Sequence, residues 1–108
     1  MPEIKAVTPE EAAQLMSEGR LYIDVRSKPE FEQGHPPGAL NVPLLHRGPQ
    51  GMLQNPEFLG VVEAAFAKDQ ALIIGCQSGG RSRRAAQMLA QAGFSNLAAD
   101  YERARAAA

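Results

Sequence analysis

The sequence predicts an α/β fold, a three-layer α/β/α arrangement around a central parallel sheet of about five strands. Strand and helix patterns alternate along the whole chain, and the runs at residues 21–25 and 71–75 are apolar on both faces. Strands of this kind are typical of a parallel sheet covered by helices. With 108 residues, 44% hydrophobic and 21% charged, the chain is long and apolar enough for a core, and we expect residues 1–108 to form a single domain.

The first half of the chain carries a clear helix start. Thr8 and Glu11 have the spacing of a capping box, and Pro9 suits the first helical position. The helix should end at Gly19. The pattern then predicts a strand at residues 21–25, a helix of one to two turns around 29–33, a turn at 34–38 and a strand at 39–42.

In the second half, residues 43–54 combine proline and glycine with little periodicity and predict a loop. Asn55, followed by Pro56, should cap the next helix. We expect a strand at 71–75, a helix from Ser82 to Ala92, a strand at 96–99 and a short helix at 101–108.

Composition excludes several classes of function. Eleven basic and twelve acidic residues leave a net charge of −1, which gives no general attraction to nucleic acid or to an anionic membrane. The opening segment lacks the apolar core of a secretory signal, and no run approaches the length of a membrane span, so we expect a cytoplasmic protein. One cysteine and two histidines do not form a zinc motif, and we predict neither metal nor cofactor.

The segment of residues 76–82 has the features of an anion site. It follows an apolar strand and precedes a helix, whose N-terminal amides attract negative charge. Gly79 and Gly80 allow amides to turn inward, Ser82 should cap the helix, and Arg81 offers a planar donor fork. These groups would favour the thiolate of Cys76 over its thiol, which would make Cys76 a nucleophile.

A second interpretation of Cys76 stays open, because an isolated intracellular cysteine more commonly packs as a small hydrophobe. A cysteine that only packs in the core has no need of two following glycines and an arginine, so we favour the interpretation of Cys76 as a reactive residue. We interpret Arg83 and Arg84 as a solvated helix face, and His35 and His46 as turn and loop residues, with a place in the lining of the site as the less favoured alternative for each histidine.

The loop resembles the active-site loop of rhodanese-type sulfurtransferases, and two upstream segments are similar to further motifs of that family, in the same order. The matching residues are Cys76-Gln77-Ser78-Gly79-Gly80-Arg81-Ser82, Asp24-Val25-Arg26 with Glu30-Phe31, and Gly34-His35 through Gly38-Ala39 with Asn41 and Pro43. Three separated matches are much more specific than a lone cysteine and arginine.

The resemblance implies a sulfur-transfer cycle without a cofactor. Cys76 would take a sulfane sulfur from a small anionic donor such as thiosulfate, or from a persulfide, and pass it to cyanide, a thiol or a protein acceptor. The substrate would be bound by Gln77, Ser78, Gly79, Gly80, Arg81 and Ser82, with Arg81 on the anionic donor. Asp24 and Arg26 would brace the neighbouring loop as a strand-end ion pair.

The same fold resembles that of Cdc25-type phosphatases and arsenate reductases, whose loop is one residue longer. Four residues separate Cys76 from Arg81 here, which suits one sulfur atom better than a phosphoryl group, and no general acid is evident. A persulfide carrier or partner-binding module without turnover is the other alternative.

The C-terminal end departs from the family pattern. It continues as Leu97-Ala98-Ala99-Asp100-Tyr101 and the chain has no tryptophan, where rhodanese domains commonly have a Gly-Gly turn and a tryptophan-bearing helix. We therefore expect a shortened or altered C-terminus that leaves one flank of the site open or covered by another subunit.

Overall fold

The computed structural model describes residues 4–49, 51–76 and 80–100. Its main sheet has five parallel strands in the order β1-β7-β6-β2-β3, and a separate antiparallel hairpin pairs β4 with β5. In chain order the elements are β1 (Ile4–Val7), α1 (Pro9–Ser17), β2 (Leu21–Asp24), α2 (Lys28–Gln33), β3 (Leu40–Asn41), β4 (Leu45–Gly48), β5 (Gly51–Gln54), α3 (Phe58–Ala65), β6 (Leu72–Gly75), α4 (Gly80–Gln91) and β7 (Leu97–Asp100).

The two faces of the sheet build two separate apolar clusters, because neighbouring strand residues point to opposite faces. On one face Ile74 packs with residues of α3 and α4, including Val62 and Leu89. On the other face Ile73 packs with Ala12 of α1. The three-layer fold with a parallel sheet of about five strands is thus confirmed.

The start of α1 agrees with its sequence pattern. The backbone N–H of Glu11 donates to Thr8 Oγ1 at 3.1 Å, and the N–H of Thr8 donates to Glu11 Oε1 at 3.0 Å. Gly19, beyond the last turn, has φ +99°, which favours glycine. Helix α3 begins at Phe58, later than expected, although the Asn55 side chain accepts from the N–H of Glu57 as a capping residue would.

Two parts of the sheet structure were not predicted. The expected loop at residues 43–54 contains the hairpin of β4 and β5, in which Gly48 pairs with Gly51 across a two-residue connection. Short strands around proline and glycine have no apolar alternation to reveal them. Strand β1 was also missed, since it has only four residues and pairs through its backbone along one edge of β7.

The helix expected at residues 101–108 lies outside the described residues. Within the described ranges, no helix has the length and apolar character needed to cross a membrane.

Candidate active site

Cys76 is the first residue after β6, the central strand of the sheet, and lies at the carboxyl end of that strand. Gly75 pairs in register with Asp24 of β2, so Cys76 and Asp24 lie at the same edge of the sheet. Ligands of open parallel sheets bind at this edge. The side chain of Cys76 is buried, with 7% of its surface exposed.

The sulfur of Cys76 faces the first turn of α4. The backbone N–H of Ser82 donates to Sγ at 3.3 Å, and the hydroxyl of Ser82 lies 3.4 Å from the same atom. Ser82 is fully buried. The expectation that Ser82 caps the helix is wrong, because α4 already begins at Gly80 and Ser82 stands inside its first turn.

Three of the expected substrate-binding residues, Gln77, Ser78 and Gly79, lie outside the described residues. The other three, Gly80, Arg81 and Ser82, are the first three residues of α4. The N-terminal end of a helix of this length attracts anions through its unpaired amides.

Arg81 binds Glu30 of α2 through two parallel hydrogen bonds. Its Nη1 donates to Oε1 at 2.7 Å and its Nη2 to Oε2 at 2.9 Å. Paired N–H groups on a carboxylate form a strong and directional contact. The guanidinium expected to hold an anionic donor is therefore engaged by a carboxylate of the protein itself.

Ser27, at the start of α2, also holds the Glu30 carboxylate in place. Its Oε1 accepts from the N–H of Ser27 at 3.2 Å and from the Ser27 hydroxyl at 2.7 Å. The hydrogen bond from Arg81, with further help from Ser27, lowers the pKa of Glu30 from 4.5 to about 2 despite the opposing effect of burial. The bond to Glu30 also raises the pKa of Arg81.

Asp24 and Arg26 form the strand-end ion pair that the sequence suggested, with Nη2 and Oδ2 at 2.8 Å. Asp24 is almost completely buried and also accepts from the backbone N–H of Arg26 at 2.9 Å. Asn41 of β3 donates from Nδ2 to the carbonyls of both residues at 3.0 Å. Arg26 further donates to the carbonyl of Gly34, so the pair ties β2 to the end of α2.

Tyr22 of β2 lies against the backbone of β6 just before the cysteine. A Cβ atom placed on Gly75 would stand 1.8 Å from the Tyr22 hydroxyl oxygen, so this position requires glycine. The Tyr22 side chain is buried, with 6% exposed. The ring therefore supports the backbone that carries Cys76.

A cavity of about 540 Å³ lies beside these groups. Its apolar wall comes from α1 and Tyr22, and its polar wall includes Asp24, Arg26, Glu30 and His35 next to Cys76. Such a volume is within the usual range of small-molecule sites. His35, interpreted from the sequence as a turn residue, thus faces the site, where it stacks on Phe31 with ring centroids 3.6 Å apart. His46 lines a different groove, and the side chain of Arg47 is not described.

Several residues of the site had no assigned role from the sequence. Glu30 and Asn41 appeared only as matches to family motifs, and Tyr22 only as an apolar strand residue. The capping-box spacing of Ser27 and Glu30 was a usable signal for the helix start. No local signal indicates that Glu30 binds Arg81, 51 residues further along the chain.

The comparisons with known proteins agree with this architecture. The family model described as a rhodanese-like domain matches residues 8–104. Thiosulfate sulfurtransferase 16, chloroplastic, from Arabidopsis thaliana is 48% identical over 86 residues, which cover 80% of this chain and 72% of the relative. The solved structure of human single-domain sulfurtransferase TSTD1 has a TM-score of 0.68 at 26% identity, covering 97% of each chain.

Another relative is Protein HIGH ARSENIC CONTENT 1, mitochondrial, from Arabidopsis thaliana, with 35% identity over 96 residues that cover 89% of this chain and 57% of the relative. The chain spans 47% of the length of two further plant relatives. The expected cytoplasmic location is contradicted by the chloroplastic and mitochondrial relatives. The expectation considered only an apolar secretory signal, whereas organelle leaders are amphipathic and rich in arginine and serine.

Proposed function

Because the chain belongs to the rhodanese-like domain family, we propose that it is a sulfurtransferase that carries a sulfane sulfur on Cys76. The observation that supports this most directly is the contact between the Ser82 N–H and Sγ of Cys76 at 3.3 Å. A helix N-terminus with an amide directed at sulfur stabilises a negative charge on that atom. Relatives named thiosulfate sulfurtransferases suggest thiosulfate as a donor.

In the first step the Cys76 thiolate attacks the outer, sulfane sulfur of thiosulfate. A new S–S bond forms to Cys76 while the S–S bond of the donor breaks, and its electron pair leaves with sulfite. No proton is transferred, so the step needs no general acid. The product is a Cys76 persulfide anion.

In the second step an acceptor nucleophile attacks the outer sulfur of the persulfide. The S–S bond on Cys76 breaks, and its electron pair returns to Sγ as the thiolate. Cyanide would leave as thiocyanate, and a thiol acceptor would leave as a persulfide after losing its proton. The cavity of about 540 Å³ leaves room for an acceptor larger than cyanide.

The negative charge of the persulfide would lie at the first turn of α4. Ser82 supplies an amide and a hydroxyl there. Asp24 and Arg26 would act on this loop indirectly, through the strand end that they fix.

The test is formation of thiocyanate from thiosulfate and cyanide by the wild-type protein and by Cys76→Ala. We expect turnover in the wild type and in Glu63→Gln, a control that breaks an exposed ion pair with Lys68. Cys76→Ala should have none, and turnover in that variant would refute the proposal. A persulfide that forms on Cys76 without turnover for any acceptor would instead identify a carrier.

Arsenate reduction and aryl phosphate hydrolysis are measured with the same proteins, since one relative is named for arsenic content. The four-residue spacing between Cys76 and Arg81 predicts neither activity. If arsenate-dependent thiol oxidation requires Cys76 and is faster than sulfur transfer, arsenate reduction becomes the favoured activity.

A further inference from the structure

Like Asp24, Glu30 is a densely hydrogen-bonded carboxylate beside the cavity. It accepts two hydrogen bonds from Arg81 and two from Ser27, at 2.7 to 3.2 Å. Its side chain is 22% exposed and that of Arg81 is 18% exposed. Four short contacts fix the position of this carboxylate, and the two from Arg81 fix the guanidinium plane as well.

The contact joins two separate parts of the site. Glu30 belongs to the first turn of α2, which follows the strand end at Asp24. Arg81 belongs to the first turn of α4 and is directly followed by Ser82, whose N–H and hydroxyl face the sulfur of Cys76. A shift of Arg81 would therefore move the amide that faces the sulfur.

We propose that Glu30 is a positioning residue for the nucleophile, which holds the first turn of α4 against Cys76 through Arg81. It does not touch the reacting sulfur in this arrangement but sets the distance from the Ser82 amide to that atom. The consequence for sulfur transfer rests on the function proposed above, whereas the consequence for the reactivity of Cys76 does not.

The same contact has a second interpretation, in which the carboxylate of Glu30 competes with an anionic donor for the guanidinium of Arg81. The two interpretations predict opposite effects when the charge of Glu30 is removed. Loss of positioning slows every reaction of the sulfur, including one with an uncharged reagent. Loss of a competitor leaves the uncharged reagent unaffected and speeds the reaction with thiosulfate.

The test measures the alkylation rate of Cys76, the only cysteine of the chain, with uncharged iodoacetamide at neutral pH. The variants are Glu30→Gln, Arg81→Gln and the double variant. Glu11→Gln is a matched control, because the Glu11 carboxylate makes the same capping-box contact at the start of α1, where it accepts from the N–H of Thr8. Circular dichroism tests whether each variant folds.

We expect Glu30→Gln to lower the alkylation rate about tenfold, equivalent to about 1.4 kcal/mol, the order of one charge-assisted hydrogen bond. Glu11→Gln should leave the rate unchanged, and Glu30→Gln should add nothing to Arg81→Gln, because the effect passes through Arg81. The kcat for thiocyanate formation should fall together with the alkylation rate.

An unchanged alkylation rate in Glu30→Gln overturns the proposal, as does a full additional loss on the Arg81→Gln background. If Glu30→Gln does not fold, Glu30→Asp, which withdraws the carboxylate by one methylene group, is judged by the same outcomes. A protein without sulfur transfer but with the expected alkylation pattern would refute the proposed function and leave the positioning role of Glu30 standing.

Discussion

The close contact between Gly75 and Tyr22 predicts that Gly75→Ala is strongly destabilising. The added methyl group would lie 1.8 Å from the tyrosine oxygen and 2.2 Å from Cζ, whereas nonbonded carbon atoms normally approach to about 3.5–4.0 Å. The ring or the strand must therefore move by about 1.5–2 Å. Tyr22 is buried on the face of the sheet that packs with Ala12 of α1, and such overpacking costs up to about 3 kcal/mol of the free energy of unfolding.

Urea unfolding of Gly75→Ala, Tyr22→Leu and the double variant measures this coupling. We expect Gly75→Ala to cost about 3 kcal/mol in the wild-type background and about 1 kcal/mol in the Tyr22→Leu background, a coupling of about 2 kcal/mol. Gly60→Ala in α3 is the control, because a Cβ there meets nothing within 4 Å. This control should be neutral or stabilising by up to about 1 kcal/mol.

The reasoning is refuted if Gly75→Ala unfolds at the urea concentration of the wild type. It is also refuted if the cost of Gly75→Ala is the same with and without the tyrosine, since the clash would then not be the cause.

Three further predictions concern the site. Ser82→Ala removes a hydroxyl 3.4 Å from the sulfur of Cys76 but keeps the amide, so the iodoacetamide rate should fall by less than about tenfold; an increase would contradict this contact. Arg81 lowers the pKa of Glu30 from 4.5 to about 2. The wild type should therefore be more stable than Glu30→Gln above about pH 4.5, and this difference in the free energy of unfolding should vanish as the pH falls to 2. The upper limit of this stability difference is roughly 3 kcal/mol, which solvent screening reduces to about 1–2 kcal/mol. A difference in urea unfolding that stays constant between about pH 6 and pH 2 would exclude the effect of Arg81 on Glu30. Asp24→Asn leaves Arg26 without its carboxylate and should lower the free energy of unfolding, measured with urea, by about 2–4 kcal/mol. An unchanged free energy of unfolding would show that the ion pair does not stabilise the fold.

The main strands and helices could be predicted from the sequence because their apolar residues recur at regular spacing. The runs around Ile23 and Ile73 are apolar on both faces, which is typical of strands in a covered parallel sheet. The capping box at Thr8 and the stop at Gly19 are local signals, and the structure has both. Their physical causes lie within a few neighbouring residues.

The parts that were missed leave no distinct pattern in the sequence, although their contacts join residues close together in the chain. The hairpin of β4 and β5 is defined by backbone pairing across Gly48 and Gly51, which leaves no apolar alternation in the sequence. The start of α4 at Gly80 instead of Ser82, with the Ser82 amide facing the sulfur of Cys76, was also missed.

The sequence indicated where the candidate site lies but not the side-chain contacts within it. The position of Cys76 between a buried strand and a helix follows from the sequence pattern. The carboxylate on Arg81 and the ring beside Gly75 do not, since each comes from another strand or helix. The proposed positioning of the Cys76 sulfur rests on the contact between Glu30 and Arg81.

The most direct test of the account is the intact mass of the protein after incubation with thiosulfate or with a persulfide donor, followed by cyanide. We predict that the wild type gains the mass of one sulfur atom, that cyanide removes it with release of an equal amount of thiocyanate, and that Cys76→Ser shows neither change. A wild-type protein that never gains a sulfur atom from either donor, or a Cys76→Ser variant that does, would contradict the assignment of Cys76 as the sulfur carrier.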